Sequence, residues 1–177
     1  TQKELGEIKK YSDFIGIELF ASIFDLERVN WCKKLNLNYY KIASRTVIDT
    51  NLCKKIIKIK KPTLISLGMF DYKKNKLPFN EKNVEYLYCV SKYPTGLNEI
   101  EMPDFNKSFF AGYSDHTIGT AACIFAISRG AKYIEKHFTT NKSTGSETEM
   151  AHVCSMDLND LKAIREFADS FAIIGNR

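Results

Sequence analysis

The chain has 177 residues, 44% of them hydrophobic and 27% charged, with four prolines and a formal net charge of +5. This composition fits one ordered globular unit with a substantial core and excludes a low-complexity chain. The mild positive charge clusters only at Lys54-Lys55, Lys58, Lys60-Lys61 and Lys73-Lys74. These read as solvated helix or loop faces, and no aromatic-interleaved basic motif points to nucleic acid.

Along the chain, Lys3 to Phe14 reads as a short polar helix and Gly16 to Ser22 as a strand. Asp25 can cap a helix running to Leu35, with Leu26, Val29 and Cys32 on one stripe and Trp31 as a packing residue. Tyr39 to Ser44 is the next strand, followed by a helix around Thr50 to Lys60 and a strand at Pro62 to Ser66. Val84 to Val90 and Ser108 to Tyr113 are the fourth and fifth strands, a helix spans Ile118 to Gly130, and Ala131 to Phe138 is the sixth strand. A last helix covers about Asn159 to Phe171, with Leu161, Ile164, Phe167 and Ala168 facing inward. The connections 68–84 and 93–107 carry no helical stripe and read as loops in place of outer helices.

Six strands mostly separated by helices indicate parallel βα units. They fit either an open doubly wound sheet or most of a (β/α)8 barrel. No Gly-x-Gly-x-x-Gly or Gly-x-x-x-x-Gly-Lys-Ser/Thr run is present, so dinucleotide and P-loop readings lack support. The five cysteines, Cys32, Cys53, Cys89, Cys123 and Cys154, are odd in number and lack Cys-x-x-Cys spacing. Four sit in apolar patterns as small buried hydrophobes, which points to a reducing, cytoplasmic setting. No apolar run reaches the ~18 residues of a membrane span, and no signal peptide is visible. The chain begins at Thr1, already in helix-like sequence, which suggests a fragment.

Polar residues recur at strand ends: Ser22, Lys41, Ser44, Ser66, Ser91, Ser114, His116 and His137. In a barrel they converge on one mouth, the usual catalytic face. Two of the three histidines follow apolar strands in the runs Gly112-Tyr113-Ser114-Asp115-His116-Thr117 and Glu135-Lys136-His137-Phe138-Thr139. In a β/α/β unit both project from the same sheet end. Neutral imidazoles there form half of a metal site. Asp115 or Glu135 is placed to orient a ligand histidine. Lys41 inside an apolar strand needs a counter-charge or an anionic ligand. His152 reads as a loop residue.

These two runs, together with Phe24-Asp25, Tyr40-Lys41-Ile42-Ala43-Ser44, Ser66-Leu67-Gly68-Met69 and Cys89-Val90-Ser91-Lys92-Tyr93-Pro94-Thr95, resemble the sialic acid synthase (NeuB-type) family in order and spacing. The resemblance implies a (β/α)8 TIM-type barrel, with residues 1–177 carrying roughly six of its eight βα units. The family's first two strands and its C-terminal antifreeze-like domain have no counterpart in the match. It implies a cytoplasmic transferase, a homodimer in its complete form, that condenses phosphoenolpyruvate with an N-acylated amino sugar aldehyde and releases phosphate. The implied cofactor is a divalent cation, manganese with magnesium as the alternative, on His116 and His137. Lys41, Ser91 and Ser114 are implied to hold phosphoenolpyruvate, with Ser44, Ser66 and Tyr93 nearby and Ser22 lining the mouth. No membrane or nucleic-acid partner is expected.

Two positions depart from the family pattern. Ser44-Arg45-Thr46 stands where Ser-Gly-Glu is common, so a carboxylate associated with proton transfer is absent. Arg45 there is a cation able to meet an anionic group or to reach solvent. Ala151, in Glu149-Met150-Ala151-His152, occupies the place of an aspartate associated with the sugar, for which Glu147 or Glu149 is the available substitute. A non-catalytic relative that keeps anion binding, or another metal-dependent barrel aldolase or epimerase, are the alternatives.

Overall fold

The computed structural model describes residues 1–143 and 150–175. The chain forms two compact units, 1–85 and 86–177.

In the first unit, α1 (Gln2–Ile15) opens with a capping box in which the Thr1 hydroxyl accepts from Glu4 N and the Glu4 carboxylate reaches back to the terminal amine. It closes on Gly16, whose φ of 75° is left-handed, with Ile17 N bonded to Ser12 O at 2.9 Å. Gly16 therefore ends a helix instead of opening a strand. The strand expected over 16–22 contracts to β1 (Ala21–Ser22). Asp25 caps α2 (Leu26–Lys34) by accepting from Arg28 N, and Asp49 caps α3 (Thr50–Ile57) by accepting from Leu52 N.

β2 (Tyr40–Ile42) runs parallel to β1 and to β3 (Thr63–Ser66), with Ser22 opposite Lys41 and Lys41 opposite Leu64. All three β2 residues are buried, as expected for a parallel strand covered on both faces. Leu52, Cys53, Ile56 and Ile57 form the buried stripe of α3. Ser44 is not a strand residue; it begins the 3-10 turn Ser44–Thr46.

In the second unit, β4 (Val84–Cys89, of which residues from Tyr86 on lie in this unit), β5 (Phe110–Asp115) and β6 (Tyr133–Lys136) pair in parallel. β5 starts and ends two residues later than expected, which brings Ser114 and Asp115 into the sheet. The β4–β5 connection holds only the short 3-10 turn Leu97–Glu99. α4 (Ala121–Ser128) buries Ala122, Cys123, Ala126 and Ile127 and packs against α5 (Leu158–Gly175) through a core of Cys123, Ile127 and Ile164. Ile134, Met156, Phe167 and Ala168 pack around that core. Leu161, expected inward, is 38% exposed.

All five cysteines are buried, and none is in a disulfide. Burial pushes the Cys53 thiol up to about 11 and raises Cys32, Cys123 and Cys154 as well, as expected of thiols that act as hydrophobes. Among the described residues no helix is long and apolar enough to cross a membrane.

Candidate active site

Parallel strands deliver their last residues to one sheet end. In the first unit that end carries Lys41, only 3% exposed, whose Nζ donates to Ser66 Oγ at 2.7 Å and to Ile42 O at 3.3 Å. Lys41, expected to hold phosphoenolpyruvate, and Ser66, expected nearby, are thus brought together on neighbouring strands. Ser22 lies opposite Lys41 on β1 and is exposed. Ser44 Oγ accepts from Gly68 N at 3.1 Å, tying the turn after β2 to the segment after β3. The exposed Arg45 guanidinium lies 4.2 Å from the Phe24 ring centroid. Thr46 is buried, and its carbonyl accepts from Asp49 N and Cys53 Sγ.

In the second unit His116 follows β5 directly and is 6% exposed. Its Nδ1 lies 2.8 Å from Val90 O. A carbonyl can only accept, so Nδ1 carries the proton and Nε2 keeps a lone pair. Burial holds the imidazole below its ordinary range, against the opposing pull of the Val90 carbonyl and the Asp115 and Glu135 charges. His116 is accordingly neutral at pH 7. His137, one residue past β6, stands with its ring centroid 5.7 Å from that of His116.

Tyr93, whose peptide bond to Pro94 is cis, sets its ring 4.0 Å from His116 and 5.8 Å from His137. Its loop is held by Thr95 N donating to His116 O at 2.8 Å. Ser91 Oγ lies 3.9 Å from Cys89 Sγ. A cavity of about 90 Å³ is lined by Ser114, Asp115, His116, Glu135, Lys136 and His137.

Asp115 does not orient His116 directly; the Val90 carbonyl does. The Asp115 carboxylate is fully buried and pairs at 2.5 Å with Lys136 Nζ. Burial pushes this carboxyl up, but the Lys136 bond and charge, Thr117 N–H and Tyr113 O–H outweigh it and hold the group below its usual range. Sequence reasoning missed Lys136, because it stands between Glu135 and His137 and lacks the apolar flanks that single out Lys41 between Tyr40 and Ile42. The Val90 carbonyl is backbone and leaves no mark in residue type.

Two rings can share one cation only if their centroids lie within about 6–7 Å, since metal–nitrogen bonds are ~2.1 Å. The 5.7 Å separation and the Nε2 lone pair of His116 meet that condition. No group of three His, Cys, Asp or Glu converges among the described residues. Glu147 and Glu149 lie outside the described residues, as does the side chain of Ala151. His152 sits in the 3-10 turn Met150–Cys154, and its Nε2 is buried with no hydrogen-bond partner among the described residues.

The fold is thus of the α/β class, with parallel βα units that place a buried lysine beside a hydroxyl in the first unit and two neighbouring imidazoles in the second. The fold matches that of N-acetylneuraminic acid (sialic acid) synthetase from Leptospira borgpetersenii with a TM-score of 0.85, at 24% identity, over 100% of this chain and 65% of that one. The chain belongs to the NeuB family, which it matches over residues 1–176. It is 35% identical to the pseudaminic acid synthase of Campylobacter jejuni over 162 residues, 84% of this chain and 46% of that protein. It is 31% identical to the N,N'-diacetyllegionaminic acid synthase of the same organism over 183 residues, 93% of this chain and 54% of that protein. The chain therefore spans about half the length of the curated relatives it matches.

Proposed function

We propose that the protein carrying this chain is a nonulosonic acid synthase of the sialic, pseudaminic or legionaminic type. In this reading phosphoenolpyruvate condenses with the open aldehyde of an N-acyl amino sugar. The enol carbon forms a bond to the aldehyde carbon, whose oxygen takes up a proton. Water adds to the resulting oxocarbenium carbon and loses a proton, and the carbon–oxygen bond to phosphate then breaks to leave the keto acid. The family membership and the synthase names of the relatives support this reading. The single observation that carries it is the pair of imidazoles, with His116 held neutral and its Nε2 lone pair left available by the Val90 carbonyl.

Each residue has a role its chemistry suits. Lys41 and Ser66 give charge-assisted and neutral hydrogen bonds to the phosphate or carboxylate of phosphoenolpyruvate. Ser114 and Ser91 are the hydroxyl donors of the second unit, and Ser44 and Ser22 those of the first. Tyr93 walls the imidazoles and limits water. His116 and His137 would hold a divalent cation, manganese or magnesium, which when bound polarises the sugar aldehyde. The complete protein supplies the rest of the (β/α)8 barrel and acts as a cytoplasmic homodimer.

A second reading, an anion-binding relative without turnover, is favoured by one observation. Thr46 is buried and offers no carboxylate where proton transfer is associated with a glutamate in related sequences. Phosphate release from phosphoenolpyruvate separates the two, measured on the full-length protein with manganese across a panel of N-acyl amino sugars. Sugar-dependent release that is lost in His116→Ala supports the synthase. Binding of phosphoenolpyruvate without release supports the second reading, and turnover without phosphoenolpyruvate marks an aldolase or epimerase.

A further inference from the structure

The structure assigns Asp115 and Lys136 as positioning residues for the two imidazoles, an inference that rests on reading His116 and His137 as cation ligands. Asp115 and Lys136 are register partners at the ends of β5 and β6, and each directly precedes a histidine. Their side chains are 0% and 1% exposed.

The carboxylate is used to capacity. Oδ1 accepts from Tyr113 Oη at 2.8 Å and from Thr117 N at 2.9 Å. Oδ2 accepts from Lys136 Nζ at 2.5 Å, from Thr117 Oγ1 at 3.2 Å and from Cys123 Sγ of α4 at 3.2 Å. Lys136 Nζ donates a second bond to Thr117 O at 2.7 Å.

His116 is thereby gripped from both sides. The residue before it supplies the carboxylate, and the residue after it has its N–H, carbonyl and hydroxyl all bound to the pair. His137 is bonded to the lysine that makes the cross-strand link. The ion pair thus fixes the backbone carrying both rings with a single cluster.

Stability alone is a poor reason for such a cluster, because burying two charges costs about as much as their attraction returns. An apolar pair could join the strands, but it could not hold the Thr117 N–H and carbonyl, which need an acceptor and a donor. Directionality is what the ion pair adds, and what it directs is the peptide on which His116 hangs. Supporting groups of this kind typically change metal affinity about 10–100-fold when removed.

The test titrates Mn2+ by the electron paramagnetic resonance signal of the free ion, using the full-length protein as wild type, Lys136→Gln and Lys136→Arg. Circular dichroism gives the folded fraction, and nitrogen-15 spectra of the metal-free imidazoles report their tautomers. Positioning requires that Lys136→Gln weaken Mn2+ binding about 10–100-fold at unchanged stoichiometry per folded molecule. Lys136→Arg should recover part of the loss. The His116 ring should pass from one Nδ1-protonated tautomer to exchange between two.

A lower folded fraction with unchanged affinity and unchanged imidazole spectra would overturn the assignment. Should Lys136→Gln fail to fold, Asp115→Asn/Lys136→Gln leaves no charge unpaired and decides by the same spectra: altered tautomers support, wild-type tautomers refute. If the wild type binds no Mn2+, the cation reading fails, while the metal-free spectra still decide whether the pair positions the rings.

Discussion

The ring of Tyr93 lies 4.0 Å from the imidazole of His116, centroid to centroid, and tilts by 42°. Tyr93 also meets His137 edge-on, so one aromatic side chain touches both rings of the candidate cation site. Such pairs contribute about 0.5–1.5 kcal/mol beyond their area burial, a factor of roughly 2–10. Tyr93→Leu should weaken Mn2+ binding and lower kcat/KM by about that factor, with Tyr93→Phe between it and the wild type. Calorimetric titration with Mn2+ checks this; wild-type affinity in Tyr93→Leu would remove the ring from the site.

Lys41 offers a sharper test of the anion site. Its ammonium is buried beside Ser66, and a charged hydrogen bond contributes about 1.5–3 kcal/mol to binding. Lys41→Met keeps the length and apolar stem of the side chain. The expected result is a roughly 10- to 100-fold weaker affinity for phosphoenolpyruvate. Equal phosphoenolpyruvate affinity in the variant and the wild type would reassign Lys41 to a structural role.

These tests reach residues that were legible in the sequence for a definable reason. Lys41, His116 and His137 are polar groups interrupting or ending apolar strands, a pattern that survives reading in one dimension. Gly16 was misleading, because a glycine before Ile17-Glu18-Leu19-Phe20 serves equally as a strand opening and as a left-handed helix end. The preceding turn chose the second, through Ile17 N to Ser12 O. Ser44 looked like a strand end because only the backbone shows that β2 stops at Ile42 and a 3-10 turn begins. The Asp115–Lys136 pair was hidden for another reason: its partners are 21 residues apart, and only the β5–β6 register makes them neighbours.

Two groups give the ligand-free protein a pH dependence of known sign. Burial depresses His116, so the unfolded chain takes up its proton more readily than the folded one. The stability from keeping this ring neutral is present above the unfolded value of about 6.5 and is lost as pH falls through the folded value. Asp115 is also depressed, with burial opposing and Lys136 prevailing, so its contribution is present above about 4 and lost in stronger acid. Tm measured with a chelator present should be level between about pH 7 and 8, decline below about 6.5, and fall again below about 4. His116→Asn should flatten the first decline and leave the second; an unchanged slope between pH 6.5 and 5 would exclude His116 as its source.

Gly112 opens the Gly-Tyr-Ser-Asp-His-Thr run for a reason of space. It stands opposite Tyr133 in the β5–β6 register, and a Cβ built on it would lie 2.3 Å from Tyr133 O and 2.7 Å from Tyr133 Cβ. The nearest obstacle is backbone, so no rotamer change relieves it. Gly112→Ala must part the two strands, at a cost of about 1–3 kcal/mol for overpacking. Because the same two strands carry His116 and His137, lost stability should come with weaker Mn2+ binding per folded molecule. Gly130→Ala is the comparison, since its Cβ would meet the Asn106 side chain and its φ of 90° strains alanine. That variant should lose stability to a similar extent with Mn2+ affinity unchanged. Urea unfolding paired with Mn2+ titration distinguishes the two, and an equal effect of both variants on affinity would show that strand spacing at Gly112 does not set the imidazole separation.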